Sequence, residues 1–195
     1  MSSISKYKGW IILVLIILVV LYGVSAYNRF VTLDQGINAK WSEVENQYQR
    51  QADLIPNLVS VVSSAVGVEI KYVKDVTEAR TKWQNAKTLL EKDTAGIQMN
   101  NGISAFITAI ATAENYPQLQ ANKQYVALTD EVSGTQNRIT VARGRYIEGI
   151  QAFNTAVKRF PSNILDGVFG FSDKEYYKAE GEITTQKLGN GKLPQ

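Results

Sequence analysis

In the stretch NQYQRQADLIPNLVSVV, residues 46–62, Arg50, Asp53 and Asn57 recur at steps of three and four around Pro56. On a helix such steps share one face, so Arg50 can pair with Asp53 and Asp53 can reach Asn57. The cluster could form an ion pair or the polar wall of a small-ligand or enzymatic pocket, and an ion pair beside a perturbed backbone is the simpler reading. A second concentration of functional groups is ENYP, with Glu114, Asn115, Tyr116 and Pro117, and Arg138 borders an apolar seam further on. The chain contains no His and no Cys, so the usual general base, the commonest metal ligand and thiol chemistry are all missing. Ser63 and Ser64 then lack an imidazole to activate them. The carboxylates Glu43 and Glu45, or Glu175 and Glu180, lack the Glu-x-x-His partners of a bundle metal site, and no glycines assemble a phosphate loop. We expect no catalytic residue, cofactor or metal, and read Arg50, Asp53, Pro56, Asn57, Glu114 to Pro117 and Arg138 as structural or interaction residues.

The elements that position these groups begin with an apolar run. Between Lys8 and Arg29 lie 20 residues without a charge, and Ile11 to Leu21 is unbroken Ile, Leu and Val. As a helix, 20 residues cover about 30 Å, one hydrocarbon core. The unbroken run alone favours insertion by roughly 3 to 6 kcal/mol. Tyr7 and Trp10 at one end, and Tyr22 and Tyr27 at the other, suit the headgroup layer, so residues 9–28 read as a transmembrane helix contacting lipid. The competing reading is a signal peptide cut after Val24-Ser25-Ala26, which would give a secreted helical protein. Lys6 and Lys8 against Arg29 and Lys40 leave orientation nearly balanced, with the amino terminus inside and the body outside favoured. Beyond position 8 there are 19 basic and 18 acidic residues, which argues against a nucleic-acid partner.

The body is all-α. Apolar residues recur at helical steps from Phe30 to Tyr48, from Leu54 to Trp83, from Ile103 to Ala113, and from Tyr125 through Val157 to Phe160. These are seams of the coiled-coil kind. Turn signals concentrate between Lys87 and Gly102, which predicts the main reversal there, with one arm over 28–87 and a return arm over 102–160. The expected architecture is an elongated antiparallel bundle of about four helical segments following the transmembrane helix. Its parts are a basic segment 1–8, the span 9–28, the bundle 29–177 and a disordered tail 178–195. The hairpin returns Phe160 toward the membrane end, where Ile164, Leu165, Val168, Phe169 and Phe171 form an apolar patch. That patch either caps the bundle core or touches lipid, with capping favoured. Trp10, Tyr22, Tyr27, Phe169 and Phe171 are the candidate membrane-interface residues.

Several joined motifs resemble the LemA family: YNRFV at 27–31, WSEVENQYQRQADLIPNLV at 41–59, VTEAR at 76–80, ENYPQLQANKQYVAL at 114–128, NRITVARGRY at 137–146, FNTAVKRFPSN at 153–163 and GFSDKEYY at 170–177. Two departures stand at Gln51, where the family often has a second Arg, and at Gln136-Asn137-Arg138, where it has Glu-Asn-Arg. The resemblance implies an antiparallel four-helix bundle at a bacterial envelope membrane, without an assigned catalytic residue. It extends by analogy to membrane organisation.

Pro56 remains open between two readings. The apolar phase runs through Tyr48, Ala52, Ile55 and Val59, which favours a kink that frees the Ala52 carbonyl. Alternatively, Asp53 caps a new helix and Pro56 lies in its first turn. The function expected is a membrane-anchored, non-enzymatic scaffold or adaptor that forms homo-oligomers or binds other envelope proteins.

Overall fold

A computed structural model describes residues 3–66, 70–112, 119, 121–164 and 169–176. Among these residues there are four α-helices, a short 3-10 turn and no strand. The helices are α1 (Ser3–Val66), α2 (Ile70–Asn85), α3 (Leu89–Thr112) and α4 (Lys123–Lys158), and the turn is Ser162–Ile164. The chain divides into two compact units, Met1–Ala39 with Ile147–Glu175, and Lys40–Tyr146 with Tyr176–Gln195. The tail expected to be disordered, residues 178–195, lies outside the described residues.

In the second unit, residue pairing fixes the helix directions. Ala52 meets Arg80 while Tyr48 lies beside Trp83, so α2 runs antiparallel to α1. Glu45 with Lys92, Tyr48 with Gly96 and Gln51 with Asn100 advance together, so α3 is parallel to α1. Arg50 with Glu131 and Trp41 with Tyr146 turn α4 antiparallel again. This is an up-down-up-down four-helix bundle. Its core takes Val44, Ala52, Ile55, Leu58 and Val62 from α1, Val76 and Trp83 from α2, Met99, Ile103, Phe106 and Ile110 from α3, and Val132, Ile139 and Ala142 from α4.

Two sequence expectations are corrected here. The single arm over 28–87 is two antiparallel helices, because the chain reverses between Val66 and Ile70. The reversal assigned to 87–102 occupies only Ala86 to Thr88, and Asp93, Gly96, Asn100, Asn101 and Gly102 are all helical. The physical reason for the early start of α3 is a capping box. Glu91 Oε2 accepts from the amides of Lys87 (2.9 Å) and Thr88 (3.2 Å), and the Glu91 amide donates to Thr88 Oγ1 at 3.2 Å. Likewise Asn122 opens α4, its Oδ1 accepting from the amides of Gln124 and Tyr125.

In the first unit, α1 carries the apolar stretch, and its side chains from Ile11 to Leu21 are exposed. That stretch is long and apolar enough to cross a membrane. Downstream, a strap of residues 169–175 lies over α1 and the end of α4. Gly170 adopts φ 73°, a left-handed conformation that Gly reaches without penalty. Around this bend Phe169 meets Tyr27 at 5.3 Å, while Phe171 meets Phe30 at 5.3 Å and Phe153 at 6.2 Å. Buried Asn154 clamps the strap at both backbone groups of Lys174, donating to its carbonyl at 2.8 Å and accepting from its amide at 2.7 Å. Lys174 also pairs with Asp34 at 2.6 Å, and Lys158 with Asp173 at 2.8 Å. Phe171 thus covers the core aromatics Phe30 and Phe153. Phe160, in contrast, leaves the seam it ends in the sequence and is 74% exposed. Leu165 and Val168 lie outside the described residues.

Candidate functional site

Helix α1 passes through Pro56 without reversing, so the corner reading is set aside. Proline has no N–H to give the carbonyl four residues earlier, and that carbonyl belongs to Ala52. Arg80 of α2 fills the vacancy: its Nε donates to the Ala52 oxygen at 2.9 Å. Arg80 is the last residue of the VTEAR motif. The sequence signal for this contact was present, since a freed buried carbonyl must find a donor from elsewhere in the fold.

The residues around Pro56 pair differently from expectation. Arg50 Nη2 donates to Glu131 Oε1 of α4 at 2.6 Å instead of pairing with Asp53, and Asp53 accepts from Gln49 Nε2 at 2.8 Å instead of reaching Asn57. The cause is geometric: α4 brings a carboxylate across the bundle, and Gln49 stands one turn before Asp53. Asp53, Pro56 and Asn57 are exposed. Arg138 joins the Arg50 network, donating to Glu131 Oε1 at 3.2 Å and to Thr135 Oγ1 at 2.9 Å. Glu114, Asn115, Tyr116 and Pro117 lie outside the described residues.

The more enclosed polar cluster sits one to two turns earlier on α1. Arg143 of α4 donates through Nη1 to Asp93 Oδ1 of α3 and, at 3.2 Å, to the Tyr48 hydroxyl of α1. The Asp93 and Arg143 side chains are only 6% and 14% exposed. Trp83 lies against the Tyr48 ring, and Lys92 extends over the Trp83 face at 4.2 Å while reaching Glu45 at 3.8 Å. Gly96 makes room for this: a Cβ there would stand 2.6 Å from Tyr48 Cζ. Beside the cluster, fully buried Gln51 donates to Asn100 Oδ1 at 2.9 Å. The position where the family often carries Arg therefore faces the core, not solvent.

Burial pushes the Asp93 carboxyl above its ordinary value, and the Arg143 guanidinium pulls it only part of the way back. Burial opposes the charge on Arg143, yet Tyr48 and Asp93 together lift it above its ordinary value. The two partners thus point in opposite senses about the worth of the pair. The Asp93 direction governs, because a guanidinium stays protonated in either case. Tyr48 is also pushed up, chiefly by burial.

Sequence reading placed Asp93 within the turn-rich stretch from Lys87 to Gly102, so it missed the pair with Arg143. The spacing of Asp93 and Gly96 on one helix face, after the Thr88-x-x-Glu91 cap, was the available signal. Chemically, the cluster ties three helices through one guanidinium. An open groove of about 610 Å³ lies nearby between α2 and α3, lined by residues including Thr81, Asn85, Leu90, Thr94 and Gln98. Its lining excludes Tyr48, Asp93 and Arg143, and equally Arg50 and Asp53.

A helical bundle whose first helix also carries a bare apolar stretch defines a membrane-associated helical protein. The chain belongs to the LemA family, whose model matches residues 40–188. It is 25% identical to the magnetosome proteins MamQ 1 and MamQ 2 of Paramagnetospirillum magneticum, in alignments covering 86% of this chain and 72% of each relative. It is 23% identical, over the same shares, to the magnetosome protein MamQ of Magnetospirillum gryphiswaldense.

Proposed function

We propose that this protein is a membrane-anchored, non-enzymatic helical scaffold or adaptor of a bacterial envelope membrane, held by a single retained span at residues 9–28. Its bundle lies outside the cytoplasm and associates with further copies or with envelope protein partners, a role that extends to organising the membrane. The observation that carries the anchor is the exposed apolar stretch of α1, whose helix continues into the body. Retention is supported by contacts on the amino-terminal side of the alternative cut after Ala26. The Tyr22 hydroxyl is 3.0 Å from Ser162 Oγ, and a Cβ at Gly23 would stand 3.9 Å from Phe169 Cζ. Cleavage would discard both partners of the downstream segment. A structural role for the bundle is supported by polar side chains that link its helices: Arg143 joins Tyr48 to Asp93, and Gln51 donates to Asn100.

Crosslinking of the full chain in native membranes, followed by sizing and by the mass of the mature amino terminus, tests this reading. The expected result is an uncleaved chain in crosslinked species larger than the monomer. A strict monomer that co-purifies with no partner would overturn the scaffold.

A further inference from the structure

We propose that the turn Arg159 to Ile164 is a second membrane contact, which inserts Phe160 and Ile164 at the boundary between headgroups and acyl chains beside the span. The inference rests on residues 9–28 crossing the bilayer, and on nothing in the scaffold reading beyond that. Its first support is depth. Arg29 is the first charge after the span, and Tyr22 precedes it by seven residues, which on a helix is about 10 Å along the axis. The span cannot slide outward to expose Tyr22, because the 20 uncharged residues already match no more than one hydrocarbon thickness. Tyr22 therefore lies within the apolar boundary of the membrane. The Tyr22 hydroxyl is 3.0 Å from Ser162 Oγ, inside the same compact unit, so the turn is held at the depth of Tyr22.

The second support is what the turn presents there. Phe160 is 74% exposed and Ile164 63% exposed, whereas their neighbours on the strap, Phe169 and Phe171, are drawn onto Tyr27 and Phe30. Two large apolar side chains bare at membrane depth face lipid. The third support is charge. Arg29 and Arg159 are exposed and carry no ion pair among the described residues, so their long side chains can rise to lipid phosphates while Phe160 and Ile164 point into the acyl region. The occupant of this surface is thus the bilayer itself, with anionic headgroups favoured.

The chain has no native Cys, so single substitutions give clean labelling sites. Full-length Phe160→Cys, Ile164→Cys, Leu15→Cys and Asn137→Cys variants would each carry an environment-sensitive fluorophore. They would be reconstituted into vesicles of phosphatidylcholine and phosphatidylglycerol, with acyl chains brominated near the headgroup or left unbrominated. Labels at 160 and 164 should shift to the blue and lose fluorescence in brominated vesicles, as the label at 15 does, while the label at 137 on exposed α4 surface should not. Quenching at 15 with labels 160 and 164 behaving like 137 overturns the second contact and leaves the span intact. A blue shift at 160 without quenching assigns the patch to a protein partner and overturns the proposal too. Absence of quenching at 15 removes the span, and the second contact with it.

Discussion

At the level of single residues, the bundle depends on side chains that compensate for irregular features in the backbone and core. Arg80 exists in this fold as the donor that Pro56 does not supply to Ala52. Arg80→Ala should cost about 1–3 kcal/mol by leaving that buried carbonyl without a partner. In a Pro56→Ala background the restored amide serves the carbonyl, so the same Arg80 substitution should cost clearly less. Denaturant midpoints of the four chains in detergent form the double-mutant cycle that measures this, and equal Arg80 costs in both backgrounds would refute the link. For Asp93 the expectation follows from burial. Its carboxyl is pushed up from 3.8 in the folded chain, so the folded state holds its proton more readily than the unfolded state. The resulting contribution is fully present below 3.8 and is lost as pH rises through the raised folded value. Asp93→Asn keeps an acceptor for Arg143 without a desolvated charge. It should therefore be at least as stable as the parent at pH 7, with the difference closing as pH falls toward 4. Asp93→Leu, which strips Arg143 of that acceptor, should cost roughly 3–5 kcal/mol. Thermal melts of the three chains from pH 4 to 7 check both, and a large loss in the Asn variant at pH 7 would show that attraction to Arg143 outweighs burial.

At the level of elements, local composition and tertiary context disagree most along α3. Asp93, Gly96, Asn100, Asn101 and Gly102 read as turn residues because each has a poor helix propensity. In the fold, three of them have positions only a helix satisfies: Asp93 meets Arg143, Asn100 meets Gln51, and Gly96 lies under the Tyr48 ring. Gly96→Ala gains about 1 kcal/mol of helix propensity but forces the pinned Tyr48 ring to move, an overpacking cost of about 1–3 kcal/mol. The variant should melt lower than the parent. Gly144→Ala is the control, since a Cβ there meets nothing within 4 Å, and it should melt higher. Sequence periodicity did locate the α4 seam, where Val132, Ile139, Tyr146, Phe153 and Val157 are all buried. It also located the apolar stretch of α1. It could not locate the break after Val66, because the apolar steps from Leu58 to Trp83 happen to stay in phase across the reversal. The ion pair of Arg50 was out of reach, since its partner Glu131 comes from a helix distant in sequence and local i, i+3 spacing offered Asp53 as a plausible nearer one.

For the molecule as a whole, the first unit joins the two extremes of the described chain. Tyr22 and Ser162 are 140 positions apart, and the strap that closes over Phe30 comes later still. A ribosome adding about 5–20 residues per second makes these two segments roughly 7–28 s apart. If residues 9–28 span the bilayer as proposed, the apolar stretch reaches the membrane well before its downstream partners are synthesised. On that proposed span the unit completes itself only on a helix already embedded, and until then Phe30 and Phe153 lack Phe171, the ring that covers both in the fold.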